Sequence, residues 1–161
     1  MLRRFDHLDD TWPAGLGRRL GAMLYDGLLV LAIWIVIAAA HVAVSRLVLG
    51  LSPEQVGAGA AQVLSLRLLL VASAFAFFAY SWTRGGMTLG MQAWRLRVQT
   101  PDGHSITLLQ SLMRFLVGAL SFLPLGLGHL WVLFDAERRS WADIASGTRV
   151  VVLPKAAKRR P

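Results

Sequence analysis

LGAMLYDGLLVLAIWIVIAAAHVAV, Leu20 to Val44, is an apolar run broken only by Asp26 and His41. Crossing the hydrocarbon core of a bilayer takes roughly 20 predominantly apolar residues. The run therefore predicts a membrane-crossing helix with some tilt. It is longer than the roughly 7–15-residue apolar core of a cleavable leader, and no small-x-small site closes it cleanly, so it reads as a retained anchor. Asp26 is the anomaly. A carboxylate about two turns inside such a helix costs a few kcal/mol on insertion scales, so it should face protein or water and have a partner. Arg19 lies seven residues earlier, on the same helix face at roughly 10 Å of rise. Two readings follow: a proton- or cation-handling site, or a buried ion pair that fixes helix packing.

Outward from this run, the whole composition agrees. Of 161 residues, 55% are hydrophobic and 16% charged, against about 45–50% and 25% in soluble domains. With mean hydropathy +0.53, much of the surface should face lipid. The length suits one domain. Without cysteine there is no disulfide, thiolate nucleophile or Cys-based zinc site. Net charge is +8, and Arg18, Arg19, Arg84, Arg95, Arg97, Arg114, Arg138 and Arg139 sit beside the apolar runs, as positive-inside topology and anionic headgroups require. Nothing beside this charge reads nucleic acid. No HExxH, P-loop, GxSxG or dinucleotide fingerprint is present, so neither an enzyme nor a cofactor or metal site is expected.

Residues 1–17 are polar and punctuated by Pro13, Gly15 and Gly17, which predicts a flexible cytoplasmic lead. Residues 45–62, with Pro53, Gly57 and Gly59, form a short outer loop, and Val63–Thr83 is a second span. Trp94–Gln99 alternates and favours a strand; Pro101-Asp102-Gly103 makes a turn; Ile106 and Leu108 open either a return strand or a surface helix. Leu112–Phe134 is apolar but carries Pro124, Gly126 and Gly128. A full crossing would place outside a tail with Arg138, Arg139, Arg149, Lys155, Lys158, Arg159 and Arg160 against only Asp135, Glu137 and Asp143, contrary to the positive-inside rule. A re-entrant hairpin of two half-helices hinged at Pro124–Gly128 avoids this; a third broken helix is the alternative. Thr148–Leu153 reads as a strand needing a partner, and Leu96–Thr100 supplies one. The expected fold is thus an all-α membrane protein: two transmembrane helices, a re-entrant or third broken helix, and a small cytoplasmic β-hairpin-like cap. Residues 18–153 form the membrane domain and 154–161 a basic tail, with both termini cytoplasmic.

Three blocks carry a resemblance to the RDD family of small bacterial membrane proteins, named for one arginine and two aspartates. They are Arg19-Leu-Gly-Ala-Met-Leu-Tyr-Asp26; Gly86-Met-Thr-Leu-Gly90 leading into Leu96-Arg97-Val98 and Asp102-Gly103; and Asp143 with Ala145-Ser146-Gly147-Thr148. Met91 and Ala142 stand where the family often has Lys and His. The resemblance implies a bacterial inner-membrane location and a functional constellation of Arg19, Asp26 and Asp143, with Arg114 and Asp135 as further partners. Arg19 should lie between the two aspartates, and Arg114 should meet Asp26 or a headgroup. The implied function is assistance to cation or proton transport, as a homo-oligomer, because two spans and a hairpin are few for a pathway. The rival is a scaffold or accessory subunit whose charges lock the fold. His41, His104 and His129 have no second ligand at metal spacing, and Trp82, Trp94, Trp131 and Trp141 read as an interfacial belt. Gly17-x-x-x-Gly21 is a site of close helix approach or an ordinary Gly-rich lead-in.

Overall fold

A computed structural model describes residues 3–5 and 10–154; the expected basic residues Lys155, Lys158, Arg159 and Arg160 lie outside these. The chain divides into two compact units, one holding the chain to Asp26 and again from Phe78, the other Gly27–Phe77.

The Gly27–Phe77 unit is built from two helices. α1 runs Leu16–Leu47 and α2 runs Ala60–Arg84, longer at both ends than the expected 20–44 and 63–83. Neither contains proline, and the Pro53–Gly59 stretch that separates them cannot propagate a helix. Three polar contacts join the helices inside this unit. Trp34 Nε1 donates to Leu70 O at 2.9 Å, Ser45 Oγ donates to Gln62 Oε1 at 2.9 Å, and His41 Nε2 lies 2.9 Å from Ser65 Oγ. In their most apolar stretches only 6% of α1 and 11% of α2 residues are buried. These helices therefore show apolar side chains outward, unlike the core helices of a water-soluble domain.

The other unit is organised by a sheet of order β1-β3-β2, antiparallel throughout. β2 is Leu96–Gln99 and β3 is Arg149–Val152, with Leu96 opposite Val152 and Val98 opposite Val150. This is the expected pairing, favoured by β-branched side chains packed on a covered face. The third strand is a correction. β1, Trp12–Pro13, pairs with the far side of β3, and Ala14 N donates to Val150 O at 3.0 Å. Proline is tolerated there because the strand lies at an edge. Arg3 and Phe5 also bond to Ser105 and Gly103, so the described part of the lead is integrated rather than free. The core gathers Ala14, Ala22, Met91, Leu96, Val98, Ile106, Val150 and Val152.

α2 ends at Gly85-Gly86. Gly86 adopts φ +69°, and a side chain there would press on Val98 O at 2.7 Å, so glycine alone lets the helix end dock on β2. A short α3, Leu89–Ala93, follows, N-capped by Thr88. Residues after β2 choose the helix over the return strand. α4, Leu108–Leu120, starts from a capping box made by Thr107 and Gln110. Its 13 residues reach about 20 Å, short of the roughly 30 Å hydrocarbon thickness.

The break after α4 comes earlier than the expected Pro124–Gly128 hinge. The helix stops at Ser121, whose Oγ bonds to Val117 O at 2.6 Å. Leu125 and Gly126 turn the chain through positive φ. Gly128 already belongs to α5, Leu127–Leu130. A 3-10 turn over Trp131–Leu133 leads to α6, Trp141–Ser146, which packs back on α4.

Candidate functional site

Asp143 is the centre of the charged constellation. It sits three residues after the N-cap Ser140 and completes a capping box, accepting from Ser140 N at 2.9 Å through Oδ2. Its side chain is 0% exposed. Arg19 Nη1 reaches the same Oδ2 at 2.7 Å, and Arg114 Nη1 reaches Oδ1 at 2.6 Å. Burial alone would raise this carboxyl's pKa. The Arg114 and Arg19 guanidiniums and the Ser140 N–H overcome that and hold it below the usual carboxylate range.

Each arginine ties in further elements. Arg19, at the start of α1, also donates from Nε to Ala14 O at 3.0 Å and from Nη2 to Arg138 O at 2.9 Å. Its planar fork thus serves three acceptors from three segments, which a lysine ammonium cannot reproduce in that geometry. Arg114, on α4, lies over the Trp82 ring at 5.2 Å and donates to Thr148 Oγ1. The clamp joins the first helix, α4, α6 and the residue leading into β3.

Asp26 lies apart from it. Its Oδ2 accepts from Thr88 Oγ1 at 2.5 Å and its Oδ1 from Gly90 N at 2.9 Å, with the residue 4% exposed. No ion pair to Asp26 occurs among the described residues. The expected bridge from Arg19 to Asp26 is absent, because two turns of helix separate them and the Arg19 fork is turned to Asp143. The expected contact of Arg114 with Asp26 is replaced by its bond to Asp143. Thr88 does two things at once: its oxygen accepts from Met91 N to cap α3 and its hydroxyl serves Asp26. Gly90 is equally specific, since a Cβ there would collide with Ala22 O and lie 2.8 Å from the Asp26 carboxyl carbon.

Asp135 also stands outside the constellation. It pairs with Arg139 through both oxygens, at 3.0 and 3.1 Å, and accepts the Glu137 and Arg139 N–H groups. The Arg139 side-chain bond and these backbone bonds hold its pKa at about 2. Its role is to shape the turn between the 3-10 segment and α6.

Most of the remaining candidates have packing partners. Trp94 lies against Gly21, where a side chain would overlap its ring; Gly17 has nothing near it. The Trp131 and Trp141 rings meet at a tilt of 53° with centroids 6.3 Å apart, and His129 Nε2 lies 3.1 Å from Gly118 O. Among the described residues no three acidic or histidine side chains come together as metal ligands.

Thr88 and Gly90 are the residues that sequence reasoning missed as partners. Their signal was local: a Thr N-cap between a Gly-Gly stop and a second glycine, too short a pattern to reveal which carboxylate it faces.

A family model described as the RDD family matches residues 13–147. The match spans most of the chain and contains Arg19, Asp26, Arg114 and Asp143, and the chain belongs to that family. No curated protein and no solved structure matches it.

Proposed function

We propose that this RDD-family chain is a membrane-spanning scaffold or accessory subunit in which the arginine–aspartate constellation locks the fold. The observation that carries this reading is the state of Asp143: both carboxylate oxygens hold a guanidinium, within a fully buried capping box. A group so engaged fixes the relation of its elements and is poorly placed to exchange an ion. The membrane assignment rests on the length of α1 and α2 and on their outward apolar faces. With it go a multi-pass inner-membrane location, cytoplasmic termini under the positive-inside rule, and assembly into a homo-oligomer through the exposed helix faces.

A second reading is favoured by a different observation. Asp26 is buried, yet its partners are a hydroxyl and an amide, both neutral. The Thr88 hydroxyl can donate to a carboxylate or accept from a carboxylic acid, so both protonation states find a partner. Under this reading Asp26 handles a proton or cation, and intramembrane carboxylates have that role in pumps and transporters.

Ion and proton flux into proteoliposomes separates the two, comparing wild type with Asp26→Asn. Absence of flux in wild type, with correct insertion and an intact melting transition, supports the lock. Flux that Asp26→Asn abolishes while its melting temperature is kept overturns the lock as the whole function.

A further inference from the structure

We propose that an arginine-lined cavity beside β1 and β3 binds a phosphate group. The cavity holds about 260 Å³ and is lined by Trp12, Arg19, Glu137, Arg138, Arg139 and Arg149, with small neighbours from the same segments. Small-molecule pockets run from roughly 300 Å³ upward, so this one suits an anionic group rather than a large organic ligand.

The charges are not equivalent. Arg19 is matched by Asp143, and Arg139 by Asp135 and Glu137. Arg138 and Arg149 have no carboxylate within ion-pair distance among the described residues. Arg149 donates one Nη to Pro101 O at 2.8 Å, while its buried Nε has no protein acceptor. Trp82, Gln99 and Arg114 also keep a buried donor without a protein acceptor, but of these residues Arg149 is the one that lines the cavity.

The cavity is also preformed. Asp135 accepts the Glu137 and Arg139 N–H groups, Arg138 N donates to Asp135 O at 2.9 Å, and Arg138 holds φ +55°. These bonds fix the turn that carries Arg138 and Arg139 before any ligand arrives. Two unmatched guanidiniums fit a group with about two negative charges and several acceptor oxygens, and planar guanidinium forks match phosphate geometry. The half-exposed Trp12 ring adds an amphipathic wall of the kind found at headgroup level. The site stands on the cavity alone. Only a lipid source for the phosphate rests on the membrane reading.

The test uses the full chain in two arms. In uncharged detergent, inorganic phosphate is titrated by calorimetry. In vesicles of phosphatidylcholine with or without phosphatidic acid, the melting temperature of the reconstituted chain is measured. The variants are Arg149→Ala, Arg138→Asn (asparagine tolerates the positive φ), and the control Arg84→Ala, at the exposed end of α2 over Tyr80. Phosphate binding weakened roughly tenfold by either cavity variant, and unchanged by the control, assigns the site to free phosphate. A phosphatidic-acid-dependent rise in melting temperature that only the cavity variants lose assigns it to a headgroup. Neither effect in wild type, or equal loss in Arg84→Ala, overturns the proposal. If Arg149→Ala does not fold, Arg138→Asn decides alone. Failure of wild type to enter phosphatidylcholine vesicles counts against the membrane reading, while the detergent arm still reads the cavity.

Discussion

A residue's value here depends on what its partner would lose. Removing Arg114 leaves Oδ1 of the fully buried Asp143 without its partner and the carboxylate with Arg19 as its one guanidinium, a loss at or below the lower end of the roughly 3–5 kcal/mol that stranding a buried charge costs. Removing Arg139 breaks a pair whose arginine is 36% exposed, where solvent screening and side-chain entropy leave little net stabilisation. Arg114→Ala should therefore lower the melting temperature in detergent far more than Arg139→Ala, and equal shifts would refute the clamp. Arg19→Lys should behave like a partial deletion, because one ammonium cannot serve Asp143, Ala14 O and Arg138 O together. Acid should act in a defined direction. The Asp143 and Asp135 carboxyls have lower pKa values folded than unfolded, so their contribution is complete above the ordinary carboxylate value and is lost as pH falls through the folded one. In thermal melts the share supplied by these two carboxyls should be complete at neutral pH, begin to fall within about a unit above 3.8 and continue toward about 2, the folded value of Asp135; His129, whose pKa burial lowers from 6.5, adds a separate loss as pH falls below that value. The Arg19–Asp143 contact was legible from sequence, because both lie where apolar runs meet basic turns. Arg114 was legible only as a candidate: one arginine among several at the ends of apolar runs carries no mark of which carboxylate it faces.

Individual elements were legible in proportion to the length of their pattern. α1 and α2 are long apolar runs, and β2 and β3 carry alternation and a β-branched run, so all four lie close to their expected bounds. β1 has two residues, one of them proline, and no periodicity can announce so short a strand; it exists because β3 has a free edge. The end of α4 was misplaced as well. The helix ends at Leu120, four residues before Pro124, because a proline excludes the helical bond to the carbonyl four residues back and disfavours helix at the residue before it, so the break precedes the proline instead of falling at it. α3 is the element most sensitive to a single methyl group. Gly90→Ala would put a Cβ against Ala22 O and the Asp26 carboxyl, an overpacking that costs about 1–3 kcal/mol where backbone cannot yield. Its melting temperature should fall, whereas Gly17→Ala, with open space around it, should be neutral or mildly stabilising. Ser140→Ala removes the cap of α6 and should cost about 1 kcal/mol, read as a shift in denaturant midpoint.

For the whole molecule, the testable matter is which surfaces meet water on which side. The absence of cysteine makes single-cysteine labelling clean. On the membrane reading, Gln55→Cys in the loop between α1 and α2 should react with an impermeant thiol reagent added to intact cells, and Asp102→Cys, in the turn after β2, only after the cells are opened. The reverse pattern would invert the topology, and equal reactivity at both sites in intact cells would refute a bilayer crossing by α2. Composition and the basic residues at helix ends are what make this arrangement the expectation. The division into two units was not legible, since it follows from tertiary contacts made by both ends of the sequence.

The sheet takes its three strands from residues 12–13, 96–99 and 149–152, and the last of these in the sequence is the middle one in space. A ribosome delivers β3 only after both of its neighbours and both long helices have emerged. Until then β1 and β2 have no partner, and Asp143, in the short helix before that strand, has only just been made. The order of synthesis thus makes assembly a late event that depends on translation reaching the end of β3. A chain stalled after α4 would carry two apolar helices, a lone Arg114 and two open strand edges, the features by which proteases and chaperones recognise an unfinished protein.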